Sequence, residues 1–431
     1  MKILIKNGNL ISMDSKRNKL EKGVDILIED DVIKKIGSNL CEESEDVEFI
    51  DATNKVVMPG LINTHSHVPM SIFRETVDGY NLQDWLTKKI WPMEDKLTKE
   101  DIYYASLLGF IEMIKTGCST INDMYFCVNE IITAAIKTGV RLQTSRALMN
   151  IAGEDDGIAR FKEMLELKEK YKNETKVSFN AGIHGLYTST EPYVKKCIQF
   201  AKDNNFLVHM HFCENSKEVE DIISSYNKKP IDVLLNNFNG VPVLLAHAVK
   251  VSKEDIEKMK KLNVGVSHCP ISNLKLGCGI ANIVEMIENG INVSLGTDGQ
   301  GSGCSLDMFE NMKFAALLQK GIKEKPDILN SYEVLKMATI NGAKALGLQE
   351  KIGTIEEGKK ADVIIVNMNR VKAIPENDLF SQLVYNTNGE NVETTIVNGK
   401  VLMQDYELNI EGIKEKDIYE ECNKIIKRIS E

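Results

Sequence analysis

Apolar and polar residues alternate at near period two in short runs at both ends of the chain. ILIKNG (3–8), DILIED (25–30), VIKKIG (32–37) and VEFIDAT (47–53) read as strands separated by turn signals such as Asn7-Gly8 and Asp30-Asp31. The tail has the same texture. ADVIIVNM (361–368) and ETTIVNGKVLMQD (393–405) read as strands, the latter folded into a hairpin at Asn398-Gly399. Two such ends around a long middle predict one small β-sandwich built from both termini. Residues 413–431 place apolar side chains at helical spacing and predict a closing amphipathic helix.

Between these ends the pattern changes. Eight apolar strand-like runs alternate with helical stretches: VVMPGLINTHSH, CSTINDM, RLQTSRALM, VSFNAGIHGLY, FLVHMHFCE, PVLLAHAVK, VGVSHCP and NVSLGTDG. The helix over 101–117 follows a Thr98-Lys-Glu-Asp101 capping signal, and the one over 191–205 ends in Asn-Asn. Eight such units predict an α/β fold, a TIM (β/α)8 barrel over 60–348, flanked by sandwich segments at 1–59 and 349–431. An open doubly wound sheet is the alternative, but no G-x-G-x-x-G follows a strand. The Gly-rich GTDGQGSGCS has no phosphate-loop lysine.

Composition narrows the class. Of 431 residues, 43% are hydrophobic and 27% charged, as in ordinary globular proteins. The balance of 53 basic to 63 acidic residues leaves a net charge of −10, which argues against nucleic acid and anionic membranes as partners. The N-terminal MKILIKNGNLISMD lacks the features of a secretion signal, and no run is long and apolar enough for a transmembrane helix. The nine cysteines form no C-x-x-C, which points to reduced thiols, a cytoplasmic setting and no cysteine-based metal site.

All seven histidines, at 65, 67, 184, 209, 211, 247 and 268, fall in or near the ends of proposed barrel strands. Strand ends at one barrel face are where active sites form. His65 and His67, two apart on a strand, point to the same side and can reach one ion. His209 and His211 repeat the spacing. Either could supply a third ligand; His211 lies nearer the strand end, and His209 suits a hydrogen-bonded place inside the barrel. His247 ends one strand and Asp298 another. An Asp there is often only a turn residue, but beside four histidines at sister strand ends a ligand role is expected. His184 suits a substrate contact, while His268 suits either a contact or a structural role. Glu214, three residues beyond His211, is placed to carry protons, the alternative being a solvated helix start.

PGLINTHSH, HFCE, LLAHAV, VSHCPISNLKLGCGI and LGTDG, in that order, resemble the amidohydrolase superfamily in its cytosine-deaminase-like, single-metal branch. The resemblance runs from end to end, including IGTIEEGKKADVIIV (352–366). Within the branch, the chain is similar to the 5-methylthioadenosine/S-adenosylhomocysteine deaminases. That narrower likeness rests on Trp85 and Glu94 in DWLTKKIWPMED, on Arg146 and Arg160 in SRALMNIAGEDDGIAR, and on His184 in NAGIHGLY. Trp91-Pro92 in the same stretch could simply be core.

The resemblance implies metal ligands His65, His67, His211 and Asp298, with His247 touching a water at the metal. It implies that Glu94 holds ribose hydroxyls and that His184, Arg146 and Arg160 face the ribose and the 5′-substituent. The fourth strand run carries His184 but no lysine near its end to bridge two ions, so one divalent metal is expected. Imidazole and carboxylate donors suit Zn²⁺, and also Fe²⁺. Glu214, His247 and Asp298 would then act on an adenine ring, with Glu214 contacting it, and convert 5′-methylthioadenosine, S-adenosylhomocysteine or a related nucleoside to the inosine analogue and ammonia. The partner would be this small nucleoside, and the relation favours a homo-oligomer. The competing reading is another enzyme of the branch, a guanine, pterin or triazine deaminase or chlorohydrolase, which would have no ribose for Glu94 to hold. A barrel without catalytic function would have lost ligands that this chain keeps.

Overall fold

The computed structural model describes residues 2–41, 47–238 and 240–431. All eight expected barrel strands are present: Leu61–Ser66, Cys118–Tyr125, Arg141–Arg146, a fourth in two halves (Val177–Phe179 and Ala181–Ile183), Val208–Phe212, Val243–His247, Val264–His268 and Asn292–Leu295. Every pairing between them is parallel. Asn180 breaks the fourth strand, so its first half pairs with the third strand and its second half with the fifth. The ring closes between the eighth strand and the first. There the Thr64 hydroxyl donates to the Leu295 carbonyl at 2.8 Å, and the Asp298 amide donates to the His65 carbonyl at 3.0 Å.

The closure needs a glycine. A Cβ on Gly296 would stand 2.6 Å from Ser267 Oγ and 2.8 Å from His65 Cβ. Those atoms belong to packed barrel walls that cannot retreat. Gly296→Ala is therefore expected to lower thermal stability by about 1–3 kcal/mol, the usual cost of overpacking a full interior. Thermal denaturation of the two proteins measures it, and an unchanged midpoint would mean the walls yield to a methyl group.

The helices follow their sequence signals. Lys99–Lys115 opens on a complete capping box between Thr98 and Asp101. Glu191–Asn204 ends on Asn205 in the left-handed conformation, where Asn is better tolerated than most residues. The two chain ends form one nine-stranded sheet, in which Lys55–Pro59 lies between Lys2–Leu10 and Val363–Asn367. It folds back around a core of Ile3, Ile26, Ile365 and Ile396, and the Ile33 amide in the far edge strand donates to the Lys359 carbonyl at 2.9 Å. Asn398 and Gly399 both have positive φ, as a tight hairpin of this kind requires.

VVMPGLINTHSH, which reads as one run, is two strands. Lys55–Pro59 belongs to the terminal sheet and Leu61–Ser66 to the barrel, with Gly60 between them. The closing helix, Glu415–Ser430, lies against the barrel helix Lys99–Lys115 and is tied to it by Lys115–Glu415 at 2.9 Å and by Arg428–Asp101. All nine cysteines are unpaired. No helix among the described residues is long and apolar enough to cross a membrane.

Candidate active site

His65 and His67 sit at the end of the first barrel strand, His211 on the fifth and Asp298 just past the eighth. Asp298 Oδ1 lies 3.4 Å from His65 Nε2 and 3.3 Å from His67 Nε2, and the Nε2 atoms of His67 and His211 are 3.1 Å apart. The other ring nitrogens of two of these histidines are committed. His67 Nδ1 donates to the Met124 carbonyl and His211 Nδ1 to the His184 carbonyl. Their Nε2 atoms therefore present lone pairs to each other and to a carboxylate oxygen. Buried His65 Nε2 has no hydrogen-bond partner either. Converging lone pairs repel unless a cation lies between them. Three imidazoles and one carboxylate are a donor set for a divalent metal such as Zn²⁺.

Burial keeps His65 and His211 neutral, as ligands must be. It takes His65 down to about 4 and His211 well below its usual range. Burial opposes the charge on Asp298, but its contacts with His65 and the nearby His247 and His67 hold it ionised. Its second oxygen accepts from the Ser272 hydroxyl at 2.6 Å and the Ser302 hydroxyl at 2.9 Å, which leaves Oδ1 facing the cluster. Of the two candidates on the fifth strand, His211 joins the cluster. His209 lies behind it, with Nε2 2.8 Å from His65 Nδ1. His268 is buried outside the cluster with neither ring nitrogen hydrogen-bonded.

His247 takes a left-handed backbone conformation (φ 72°) at its strand end. Its Nδ1 donates to Asn273 Oδ1 at 2.9 Å, so Nε2 is an acceptor, is unpartnered, and points toward the cluster. Glu214 Oε2 is 3.7 Å away. The Glu214 side chain is buried, with the Cys278 thiol 3.7 Å from Oε1. Burial, reinforced by the charge on Asp298, raises it to about 8. It therefore holds its proton to higher pH than an ordinary glutamate and loses it as pH rises. Activity that needs this proton should fall through an alkaline limb at or below about 8, since a cation at the cluster can only lower the value. A kcat/KM profile that stays flat through pH 9 would contradict this assignment.

One cavity joins these groups to the residues expected to hold substrate. Trp85, Glu94, Arg146 and His184 line it together with His67, His211, Glu214, His247 and Asp298. Glu94 and Trp85 both follow the first barrel strand. They lie on a helical stretch of three short pieces, Leu82–Trp85, Leu86–Ile90 and Trp91–Glu94, which covers the barrel mouth. The Tyr125 hydroxyl donates to Glu94. Burial raises Glu94 to about 7, against that hydrogen bond. Trp91, Glu94, Phe126, Arg146 and Met149 also border a second, outer chamber, where Arg160 stands. Arg160 is outside the inner cavity; it is anchored by Asp156 and by the Ala147 carbonyl at 2.7 Å. Trp91 is half-buried and lines both chambers.

The model of the amidohydrolase family matches residues 56–402. A 5-methylthioadenosine/S-adenosylhomocysteine deaminase of Caldanaerobacter subterraneus subsp. tengcongensis is 41% identical over 430 residues, covering 98% of each chain. The chain belongs to the amidohydrolase family. Another relative, a 5′-deoxyadenosine deaminase of Methanosarcina mazei, is 40% identical over 98% of this amidohydrolase and 97% of its own length. Among solved structures, an adenosine deaminase from Xanthomonas campestris with bound zinc superposes with a TM-score of 0.93 at 25% identity, covering 99% and 98% of the two chains.

Several residues of the amidohydrolase site escape a reading by residue type. Asn273 and Ser272 lie in PISNLKLGCGI, where nothing in the pattern links them to His247 or Asp298. Ser302 is hidden in the Gly-rich loop. Tyr125 ends an apolar strand and looks like core. Asn273, Ser272 and Tyr125 become visible only when two distant segments meet, and Ser302 only when its loop folds back on Asp298.

Proposed function

We propose that the chain deaminates the adenine ring of 5′-modified adenosines by hydrolysis, giving the inosine analogue and ammonia. 5′-Methylthioadenosine, S-adenosylhomocysteine, 5′-deoxyadenosine and adenosine share the part these residues would hold. The observation that carries the reading is a single cavity with the ligand cluster and Glu214 on its floor and Glu94 on its cover. The names of the relatives at 41% and 40% identity support the same substrate class.

His65, His67, His211 and Asp298 would hold one divalent ion per chain, zinc by donor type and by the zinc in the adenosine deaminase of like fold. When bound, such an ion makes water nucleophilic at neutral pH. The chain's own groups do the rest. Glu214 gives its proton to ring N1, which draws electrons away from C6. His247 Nε2 accepts a hydrogen bond from the attacking water and orients it. As the C6–O bond forms, Asp298 takes the water's proton and passes it to the C6 amine. The C6–N bond then breaks, ammonia leaves, and the remaining hydroxyl proton returns to Glu214 as the C6=O bond forms. Trp85 and His184 frame the nucleoside, and Arg146 and Arg160 lie toward the 5′-substituent. The family relation also favours a homo-oligomer.

A carboxylate over the barrel mouth is what a ribose diol needs, since Glu94 can accept from both hydroxyls. A deaminase of free bases or triazines has no use for it. Glu94→Ala is expected to cost roughly 1.5–3 kcal/mol in kcat/KM, the range for a hydrogen bond to a charged group. The loss should appear mainly in KM, and only for ribosides. Comparing adenosine with its 2′,3′-dideoxy analogue in both proteins tests this. An equal loss on the two substrates would remove Glu94 from the diol.

A further inference from the structure

Glu214 sits on a turn that is held by a second buried carboxylate. The fifth barrel strand ends at Phe212, and the next helix is Ser216–Tyr226. Asn215 caps that helix, its side chain accepting from the Glu218 amide at 2.8 Å. Asn215-x-x-Glu218 is the pattern of a capping box, in which the acid reaches back to the backbone N–H of the cap residue. Here the acid reaches further. Glu218 Oε1 accepts from the Cys213 amide at 3.0 Å, and Oε2 from the Glu214 amide at 2.7 Å. Neither bond is needed to cap the helix, which Asn215 already does.

The turn would not hold its shape without them. Cys213 is in the left-handed region (φ 50°), which is costly for a residue with a side chain. Its carbonyl is taken by the Lys250 amide at 2.8 Å, so the turn is gripped on both sides. Glu218 is only 2% exposed. Burying a carboxylate there is expensive, and an ordinary cap does not require it. What it secures is the backbone of Glu214, whose carboxyl faces both His247 and the cavity.

We propose that Glu218 is a positioning residue for the reaction: it fixes the backbone at Cys213 and Glu214 and so sets where the Glu214 carboxyl stands against ring N1. This inference rests on the deaminase reading for the identity of the ring, but its geometry does not.

The test uses full-length, metal-loaded Glu218→Gln and Glu218→Ala beside the wild type. Gln keeps one acceptor oxygen and so restores part of the grip; Ala restores none. Displacing a reacting group by about 1 Å costs on the order of 100-fold, so kcat should fall about 100-fold in Glu218→Ala and about 10-fold in Glu218→Gln. KM should stay within twofold. Bound metal, thermal midpoint in Glu218→Gln, and calorimetric affinity for 1-deaza-5′-methylthioadenosine, which lacks the N1 that Glu214 would meet, should also be unchanged. A merely structural role would move these together with kcat. Unchanged kcat in both variants overturns the proposal, and so does a kcat loss that only tracks lost metal or lost folded protein. If Glu218→Ala does not fold, Glu218→Gln alone decides. A wild type that is inert on every adenosine but hydrolyses another amino-substituted ring sinks the substrate reading only, and the split of kcat from KM is then read on that ring.

Discussion

Glu214→Gln is expected to keep its fold and its metal and to lose about 10²–10⁴-fold in kcat, the contribution typical of a general acid–base group. The amide is nearly isosteric with the acid, and no metal ligand is altered. It cannot release a proton to ring N1 and take one back. The alkaline limb expected at or below about 8 should vanish from the residual activity, since burial raises the Glu214 carboxyl to that value. Stopped-turnover rates across pH, with metal content measured on the same samples, check both statements. Near wild-type kcat in this variant would remove Glu214 from the proton path.

His67→Ala should have an equally large effect by a different route. His67 Nε2 faces both His211 and Asp298 across 3.1 and 3.3 Å, so its loss opens the middle of the ligand set. A site of this kind tolerates no missing ligand well. The variant is expected to purify with little metal and to lose activity in proportion. Metal binding to the folded state stabilises it by mass action, so a chelator should lower the wild-type melting temperature and leave the variant unmoved. Full metal content in His67→Ala would mean that the ion is held elsewhere.

Much of the fold was legible because barrel and sheet impose different periods on the chain. Eight apolar runs separated by helical stretches leave few architectures, and Asn398-Gly399 marks its hairpin outright. Boundaries were less legible. VVMPGLINTHSH is continuous in composition, and only pairing partners reveal that Gly60 separates a strand of the terminal sheet from one of the barrel. The stretch Leu82–Glu94 hides its helices, since its pieces are four or five residues each and one is a π turn. At the site, the H-x-H pair and the strand-end His and Asp announce themselves because such residues are costly inside a barrel. The choice between His209 and His211 does not follow from spacing. It follows from depth: one ring opens to the cavity and the other packs behind His65. The supporting residues Asn273, Ser272, Ser302 and Glu218 were hidden for a related reason. Each looks like a cap or turn residue until the chain brings it against a functional group.

The most direct test of the account is ammonia release from a panel of 6-amino and 2-amino heterocycles, with products identified by mass spectrometry. The protein should release one ammonia per molecule of 5′-methylthioadenosine, S-adenosylhomocysteine or 5′-deoxyadenosine, each product being the matching inosine. Free adenine, guanine and aminotriazines should react far more slowly. Efficient turnover of guanine or a triazine, with no ammonia from any adenosine derivative, would contradict it.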